Sequence, residues 1–233
     1  MSKFFINNKF FYLFYRFVKI LRNLKSNKHF AEFGEDIFVR RFFKNFSKGI
    51  YVDIGAYHPF KGSLTLDLYK KKWRGINIDL SKVTIDLFKL ARPRDINFRA
   101  AITDFDGKTF YYENSPINQQ NSLTENNDSK KIEIDCYKLN TVLELYNVLK
   151  IDYLNIDAEG QDYKVISTFN FQKYKPSLIS IEFNNYNFHE LQNSNINLLM
   201  EKNNFKIVSK FGVTCFYVHR DTVEKIGNIM AIN

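Results

Sequence analysis

A chain of 233 residues, 45% hydrophobic and 25% charged, has the composition of a soluble globular protein with one substantial core. Its two cysteines, Cys136 and Cys215, exclude a disulfide framework and lack metal-ligand spacing, so a reduced, cytoplasmic protein is expected. The formal charge of +9 suggests a nucleic-acid binder until it is located: Lys3, Lys9, Arg16, Lys19, Arg22, Lys25 and Lys28 supply seven of those charges within the first 28 residues, without one acidic residue, and leave the body nearly neutral.

In that basic segment Phe10, Phe14, Phe17, Leu21 and Leu24 recur at steps of three and four, the spacing of one helical face. Arg16, Lys19 and Arg22 interrupt the apolar run, which is too short to span a membrane and lacks a cleavage site, so it reads as neither a transmembrane helix nor a signal peptide. Two readings stay open. The helix packs on the domain or on a second copy in a homodimer, or residues 3–28 make a peripheral contact with anionic lipid at the inner face of the membrane. The division expected is a basic amphipathic helix over 1–29, one domain over 30–220 and a tail over 221–233.

Beyond residue 30, helical and strand patterns alternate. A helix is expected over 33–43, a strand over 50–54, a turn over 55–61 and a helix over 64–72. A second strand over 75–78 follows, then a helix over 82–90 with Ser81 as its N-cap, and a third strand over 96–102. Asp106-Gly107 turns the chain into 108–112, read as a hairpin partner. Residues 113–131, rich in Asn, Gln and Ser, read as a long mobile polar loop that closes over a substrate. Next come a short strand over 132–135, a helix over 141–149, strand four over 153–156, a helix over 163–168, strand five over 178–183 and a helix over 196–202. Segments 205–210 and 214–219, joined around Gly212, read as an antiparallel pair. Such alternation predicts an α/β fold, a doubly wound Rossmann-like sheet with helices on both faces and antiparallel C-terminal strands.

In sheets of this kind ligands bind beyond the carboxyl ends of the strands. Strand one ends in Asp53-Ile54-Gly55-Ala56-Tyr57-His58, an acid followed by a glycine where a ligand can approach the backbone. The glycines of a dinucleotide fingerprint are missing, with Tyr57 and Phe60 in their places, and there is no P-loop lysine. Strand two ends at Asp79, placed to accept hydrogen bonds from a ribose, though an N-capping role for the next helix is the plain alternative. Strand four ends in Asp157-Ala158-Glu159-Gly160 and strand five in Glu182. Three acids on one sheet edge could stabilise a cation, bind a metal or deprotonate a hydroxyl, or be no more than a solvated rim. His58 is a further candidate base, equally readable as a structural histidine. Asp104-Phe105-Asp106 has the form of a metal-binding D-x-D, but Gly107 and the strand after it make a turn the better reading.

Taken in order, several stretches resemble the FkbM family of S-adenosylmethionine-dependent methyltransferases. They are Phe33-Gly34-Glu35-Asp36, Tyr51-Val52-Asp53-Ile54-Gly55-Ala56-Tyr57-His58-Pro59, Ser63-Leu64-Thr65, Trp73-Arg74-Gly75-Ile76-Asn77-Ile78-Asp79, Arg92-Pro93-Arg94-Asp95-Ile96-Asn97 and Ile151-Asp152-Tyr153-Leu154-Asn155-Ile156-Asp157-Ala158-Glu159-Gly160. Leu64 and Ala158 depart from the residues common in the family. The resemblance implies a seven-stranded methyltransferase sheet and methyl transfer, usually to an oxygen of a sugar or natural product. It implies Asp53, Gly55, Ala56 and Asp157 around the methionine part of the cofactor, Asp79 on its ribose, and Thr103 and Asp104 near its adenine. Asp157, Glu159 or His58 would then act as base and Glu182 would bind a small-molecule or glycan acceptor. No metal is expected as a resident cofactor, although Asp157 and Glu182 could bridge one. No nucleic-acid partner is expected, because the body is near neutral and strand four is not followed by the Asn/Asp-Pro-Pro-aromatic loop of base methylation. A non-catalytic scaffold of the same fold, held at a membrane, is the alternative from another class.

Overall fold

A computed structural model describes residues 29–113, 121–122, 130–184 and 187–223, together with Tyr12, Phe14, Tyr15 and Val18. In chain order its elements are α1 (Glu35–Phe42), β1 (Ile50–Ile54), α2 (Leu66–Lys70), β2 (Arg74–Asp79), α3 (Lys82–Ala91), β3 (Ile96–Arg99), β4 (Ala101–Ile102), β5 (Gly107–Glu113) and β6 (Asn121–Ser122). There follow β7 (Lys130–Tyr137), α4 (Leu139–Leu145), β8 (Tyr153–Ile156), α5 (Asp162–Ser167), β9 (Leu178–Glu182), α6 (Phe188–Gln192), α7 (Asn195–Lys202), β10 (Phe205–Phe211) and β11 (Thr214–His219).

Seven strands form one sheet in the order β10-β11-β9-β8-β1-β2-β3. The strands from β3 through β9 pair in parallel, and β11 runs antiparallel to both β9 and β10. The order reverses beside β1, which lies between β2 and β8, so the crevice expected for a ligand opens there. Central strands are buried on both faces, as a parallel sheet requires. One face carries Val52, Ile54, Ile76, Ile78, Leu154, Ile156, Ile179 and Ile181, packed against Leu139, Val142 and Leu143 of α4, Val165 and Ile166 of α5 and Met200 of α7. The other carries Tyr51, Tyr153, Leu178 and Phe216 against Val39 and Phe42 of α1, Phe43, Leu68 of α2 and Trp73. Burying a side chain of this size contributes about 1.5–3 kcal/mol, so the two layers dominate the stability.

The Rossmann-like architecture and the antiparallel end of the sheet are as expected, and β1 and β8 have the expected bounds. Ser81 caps α3, its hydroxyl accepting from the Thr84 N–H at 3.2 Å. Three readings need correction. The third strand is not continuous over 96–102: it stops at Arg99, and Ala101–Ile102 pairs with β7 in a second sheet of order β4-β7-β5-β6. The hairpin partner of β5 is therefore β7, in antiparallel register from Gly107↔Cys136 to Glu113↔Lys130. Finally, α2 begins at Leu66 rather than 64, because Ser63 and Thr65 are drawn into a buried polar network. Within the segment read as a polar loop, Asn121 and Ser122 pair with Glu113 and Tyr112; residues 114–120 and 123–129 lie outside the described residues.

Of the N-terminal face expected from Phe10, Phe14, Phe17, Leu21 and Leu24, Phe14 is described; it is helical and exposed, and the others lie outside the described residues. Nearby, the Tyr12 hydroxyl donates to Asp86 of α3 at 2.7 Å, and Lys82 pairs with the same carboxylate at 2.6 Å. Among the described residues, no helix is long and apolar enough to cross a membrane.

Candidate active site

Side chains alternate between the two faces along each strand, so residues two apart share a face. The parallel register aligns Asn97, Asn77, Asp53, Asn155 and Ser180 in a row across β3, β2, β1, β8 and β9. This inner row is tied together by hydrogen bonds. Asn77 donates to Asn97 at 2.8 Å, Asn155 to the Asp53 carboxylate at 2.9 Å, and Ser180 to Asn155 at 2.5 Å. The next row on the same face, at the carboxyl ends, is Asp79, Gly55, Asp157 and Glu182, each two residues beyond a member of the inner row. Ile78, Ile54, Ile156 and Ile181 alternate between the rows and turn into the opposite core.

Both carboxylate oxygens of Asp53 are engaged, one by Asn155 and the other by Thr65 Oγ1 at 2.7 Å. Thr65 accepts in turn from Arg92 Nη1 at 2.8 Å. Arg92 is fully buried at the end of α3. Its Nη1 also reaches the Tyr51 hydroxyl at 3.4 Å, Nη2 donates to Ser63 at 2.7 Å and to the Pro59 carbonyl at 2.5 Å, and Nε donates to the same carbonyl at 3.2 Å. Every donor of the guanidinium has an acceptor. Asp53 and Arg92 thus fix the 55–65 loop from below. Asp53 lines the larger of the two cavities, with one oxygen held by β8 and the other by the loop, and each oxygen keeps a second lone pair. The burial of Arg92 has no counterpart in the sequence pattern, since a lone arginine before proline carries no signal of it.

Gly55 answers to a different constraint from the one expected. Its φ is +71°, and a Cβ would lie 1.7 Å from the Asp157 carbonyl oxygen. The glycine is demanded by the neighbouring strand end, whose Asp157 N–H donates to Ile54 at 3.0 Å. Beyond it, Tyr57 and Glu159 hold left-handed backbone, with φ of 53° and 49°. Both line the passage between the cavities, and strain of this kind concentrates at functional sites. Asp162, unforeseen from sequence, secures the Glu159 loop by accepting from the N–H groups of Ala158 at 2.9 Å and Gly160 at 3.1 Å.

Two cavities meet at Gly55, Tyr57, Asp157 and Glu159. The narrower is a slot with walls of Ile54, Ile78, Leu80, Ala100, Ala101 and Ile102, and with Asp79 at its side. The larger, of about 610 Å³, is bounded by residues 29–33, Glu35, Asp53, Ala56, residues 61–64, Asn155, Glu182, Val213 and Thr214. That volume is typical of small-molecule sites, about 300–1,000 Å³. Phe33, which packs against Gly212, and Phe30, whose carbonyl accepts from Gly62, roof it.

Asp79 accepts from Tyr57 N–H at 2.9 Å and from Ser81 N–H at 2.7 Å, one bond to each oxygen. Asp79 does not cap α3, which Ser81 does; it braces the turn before the helix, and each carboxylate oxygen keeps a second lone pair for a ligand. Burial pushes its carboxyl up to about 6 despite those bonds. Burial, and then the neighbouring Glu182, hold Asp157 well above the usual carboxylate range. Glu182 is pushed up to about 7 by burial first and by the charges of Asp162 and Glu159 next.

These shifts have a consequence for stability. A carboxyl raised in the folded state binds more protons folded than unfolded between its ordinary range and its raised value, so stability falls as pH rises through that window. For Glu182 the window runs from about 4.5 to about 7. Glu182→Gln is therefore expected to raise the Tm of the ligand-free protein at pH 8 and to have little effect at pH 4.5, as followed by calorimetry across that range. A lower Tm for the variant at pH 8 would show that the fold stabilises the carboxylate.

Three expected site residues are not where the sequence suggested. His58 is buried outside both cavity linings, and its Nδ1 accepts from the Phe60 and Lys61 N–H groups at 3.1 Å each. It shapes the loop from outside the two linings. Thr103 and Asp104 pair with each other at 3.1 Å beyond the slot, whose wall on that side is Ala100–Ile102, because the chain has already left the main sheet at Ala100. In the D-x-D stretch, Asp106 accepts from Lys138 N–H and the Thr141 hydroxyl, at 2.8 and 3.0 Å, at the start of α4. Among the described residues, no group of three or more His, Cys, Asp or Glu side chains is arranged to hold a metal ion.

Comparison with known families gives one match: the model described as a methyltransferase FkbM domain covers residues 53–207, from Asp53 near the end of β1 into the edge strand β10. Among curated proteins, none matches the chain.

Proposed function

This chain belongs to the FkbM methyltransferase family, and from that premise we propose that it transfers the methyl group of S-adenosylmethionine to a hydroxyl oxygen of a sugar or glycan. The observation that carries the reading is the junction of the two cavities: a largely apolar slot with the half-buried Asp79 at its side opens, across Gly55, Asp157 and Glu159, into a larger polar chamber ringed by acids. The slot fits an adenosine. Ile54, Ile78, Ala101 and Ile102 offer flat apolar walls to a base, and the spare lone pairs of Asp79 suit two ribose hydroxyls. Gly55, Ala56 and Asp157 would border the methionine part at the mouth of the chamber.

The cofactor supplies an activated methyl group on a sulfonium, and the protein supplies alignment and proton management. Asp53, through Thr65 and Arg92, holds the loop that separates slot from chamber. Carboxylates at Glu159 and Glu182 favour the positive charge of the sulfonium and accept hydrogen bonds from a hydroxyl-rich acceptor. Glu159 is exposed, whereas Asp157 and Glu182 are more deeply set, so the acid chemistry rests with the latter two.

Asp79→Asn is expected to weaken binding of S-adenosylhomocysteine about 10- to 100-fold with the fold intact, since a hydrogen bond to a charged group contributes about 1.5–3 kcal/mol. Calorimetric titration measures this directly. Affinity within twofold of the parent would place the ribose elsewhere, and no binding by the parent itself would favour a scaffold of the same fold.

A further inference from the structure

Asp157 and Glu182 stand at adjacent ends of β8 and β9, one step beyond the paired Ile156 and Ile181. Both line the chamber, but only Asp157 also borders the slot. The Asp157 main chain is fixed by its N–H bond to Ile54 and by the close pass of its carbonyl over Gly55. Its side chain stands beside the Glu182 carboxyl on the neighbouring parallel strand. On Glu182, Oε2 is buried with no hydrogen-bond donor. Two carboxyl groups in such contact hold a single proton between them, because two charges there are not compensated.

We propose that Glu182 is the base that receives the acceptor's hydroxyl proton, and that Asp157 acts as its protonated hydrogen-bond donor. This rests on the methyl-transfer reading above. In the step, the acceptor O–H bond breaks and its proton passes to the Glu182 carboxylate. The oxygen's electron pair forms the new O–CH3 bond while the C–S bond breaks and leaves its pair on sulfur.

The surroundings decide which acid keeps the proton. Asp157 faces Glu182, Glu159, Asp162 and Asp53, all acidic. Glu182 faces Glu159 and Asp162, with Asn184 and Asp157 beside it to offset their charge. Lys210 Nζ donates to the carbonyls of Phe183 and Gly212 at 3.1 and 2.8 Å, and Lys61 and Glu35 line the chamber elsewhere. Asp157 is the deeper and the more surrounded by negative charge, so it holds the proton. Glu182, opening only on the chamber, is the acid an acceptor hydroxyl meets.

The test is a carboxyl-carbon NMR titration of the full chain labelled at Asp and Glu, with S-adenosylhomocysteine as probe. The Asp157→Asn and Glu182→Gln variants assign the signals. The expected result is an Asp157 signal that stays protonated through pH 7, and a Glu182 signal that titrates near neutrality and moves by less than about one pH unit in D157N. With labelled S-adenosylmethionine and neutral glycosides, D157N, which keeps a donor, retains at least about a tenth of the parent rate, whereas E182Q loses about 10²- to 10⁴-fold. Asp157 ionised at pH 6, or D157N as damaged as E182Q, overturns the assignment. A parent that fails to bind S-adenosylhomocysteine sinks the methyl-transfer reading instead, so the two failures are distinguishable.

Discussion

Replacing Arg92 by methionine is expected to lower the unfolding free energy by about 3–5 kcal/mol, the range for breaking a buried charged network by removing one partner. For a chain of this size that is a fall in Tm on the order of 10 °C. The reason lies in where the five donors go. Two acceptors, Ser63 and Thr65, precede α2, one carbonyl belongs to Pro59, and the Tyr51 hydroxyl links the guanidinium to Asp95 at 2.6 Å. Methionine replaces the aliphatic stem but stops short of the guanidinium and leaves these oxygens buried without donors. It also leaves Asp53 with its carboxylate charge and no cation behind Thr65. Lysine keeps the charge but offers at most three donors, so Arg92→Lys is expected to fall between. Thermal unfolding of both variants checks the claim, and a methionine variant within about 1 kcal/mol of the parent would refute it.

The second large effect is expected at Gly55. An alanine there meets the Asp157 carbonyl at 1.7 Å, and both atoms belong to backbone that pairs β1 with β8. Neither can rotate away, so the strand ends must separate. The left-handed φ adds about 1–2 kcal/mol for any residue with a Cβ. Since Asp79, Gly55, Asp157 and Glu182 form one row, separation at its centre moves the acids apart. Gly55→Ala is therefore expected to lose at least about 2–4 kcal/mol of stability and to weaken S-adenosylhomocysteine binding more than tenfold. An alanine variant with parental affinity would mean that the row is not the cofactor's seat.

Much of this site is written in four tripeptides: Asn77-Ile78-Asp79, Asp53-Ile54-Gly55, Asn155-Ile156-Asp157 and Ser180-Ile181-Glu182. Each sets a polar residue, an isoleucine and an acid or glycine at a strand's carboxyl end, and strand alternation turns that pattern into two polar rows on one face. The acids were legible because an acid closing an apolar run has few structural explanations. The strands were legible where burial on both faces gave unbroken apolar stretches, as in β1 and β8. What failed was pairing. Ile96 to Ile102 reads as a single strand because its apolar pattern hides the break at Ala100, and the partner of β5 lies beyond a polar insertion that periodicity does not cross. The helix α6, five residues long and outside the expectations, is too short to show a 3.6-residue period. Roles set by hydrogen bonds were hidden as well. His58, Arg92 and Asp162 are polar residues whose burial is decided by distant segments, and nothing next to them in the chain reports it.

The position of β1 also bears on how the chain reaches this state. Its partner β2 follows within a few dozen residues, but its other partner β8 is remote: Asp53 and Asn155 are 102 positions apart. Contacts of such separation slow folding, since the intervening chain must be closed into a loop before they stabilise anything. During synthesis, β1 and β2 can pair early, yet one edge of β1 stays bare until β8 emerges. That edge carries Tyr51, Val52 and Ile54, a short unpaired template for association with other nascent chains. Fragments ending near residue 150, which keep that edge bare, are thus expected to aggregate more readily than the full chain.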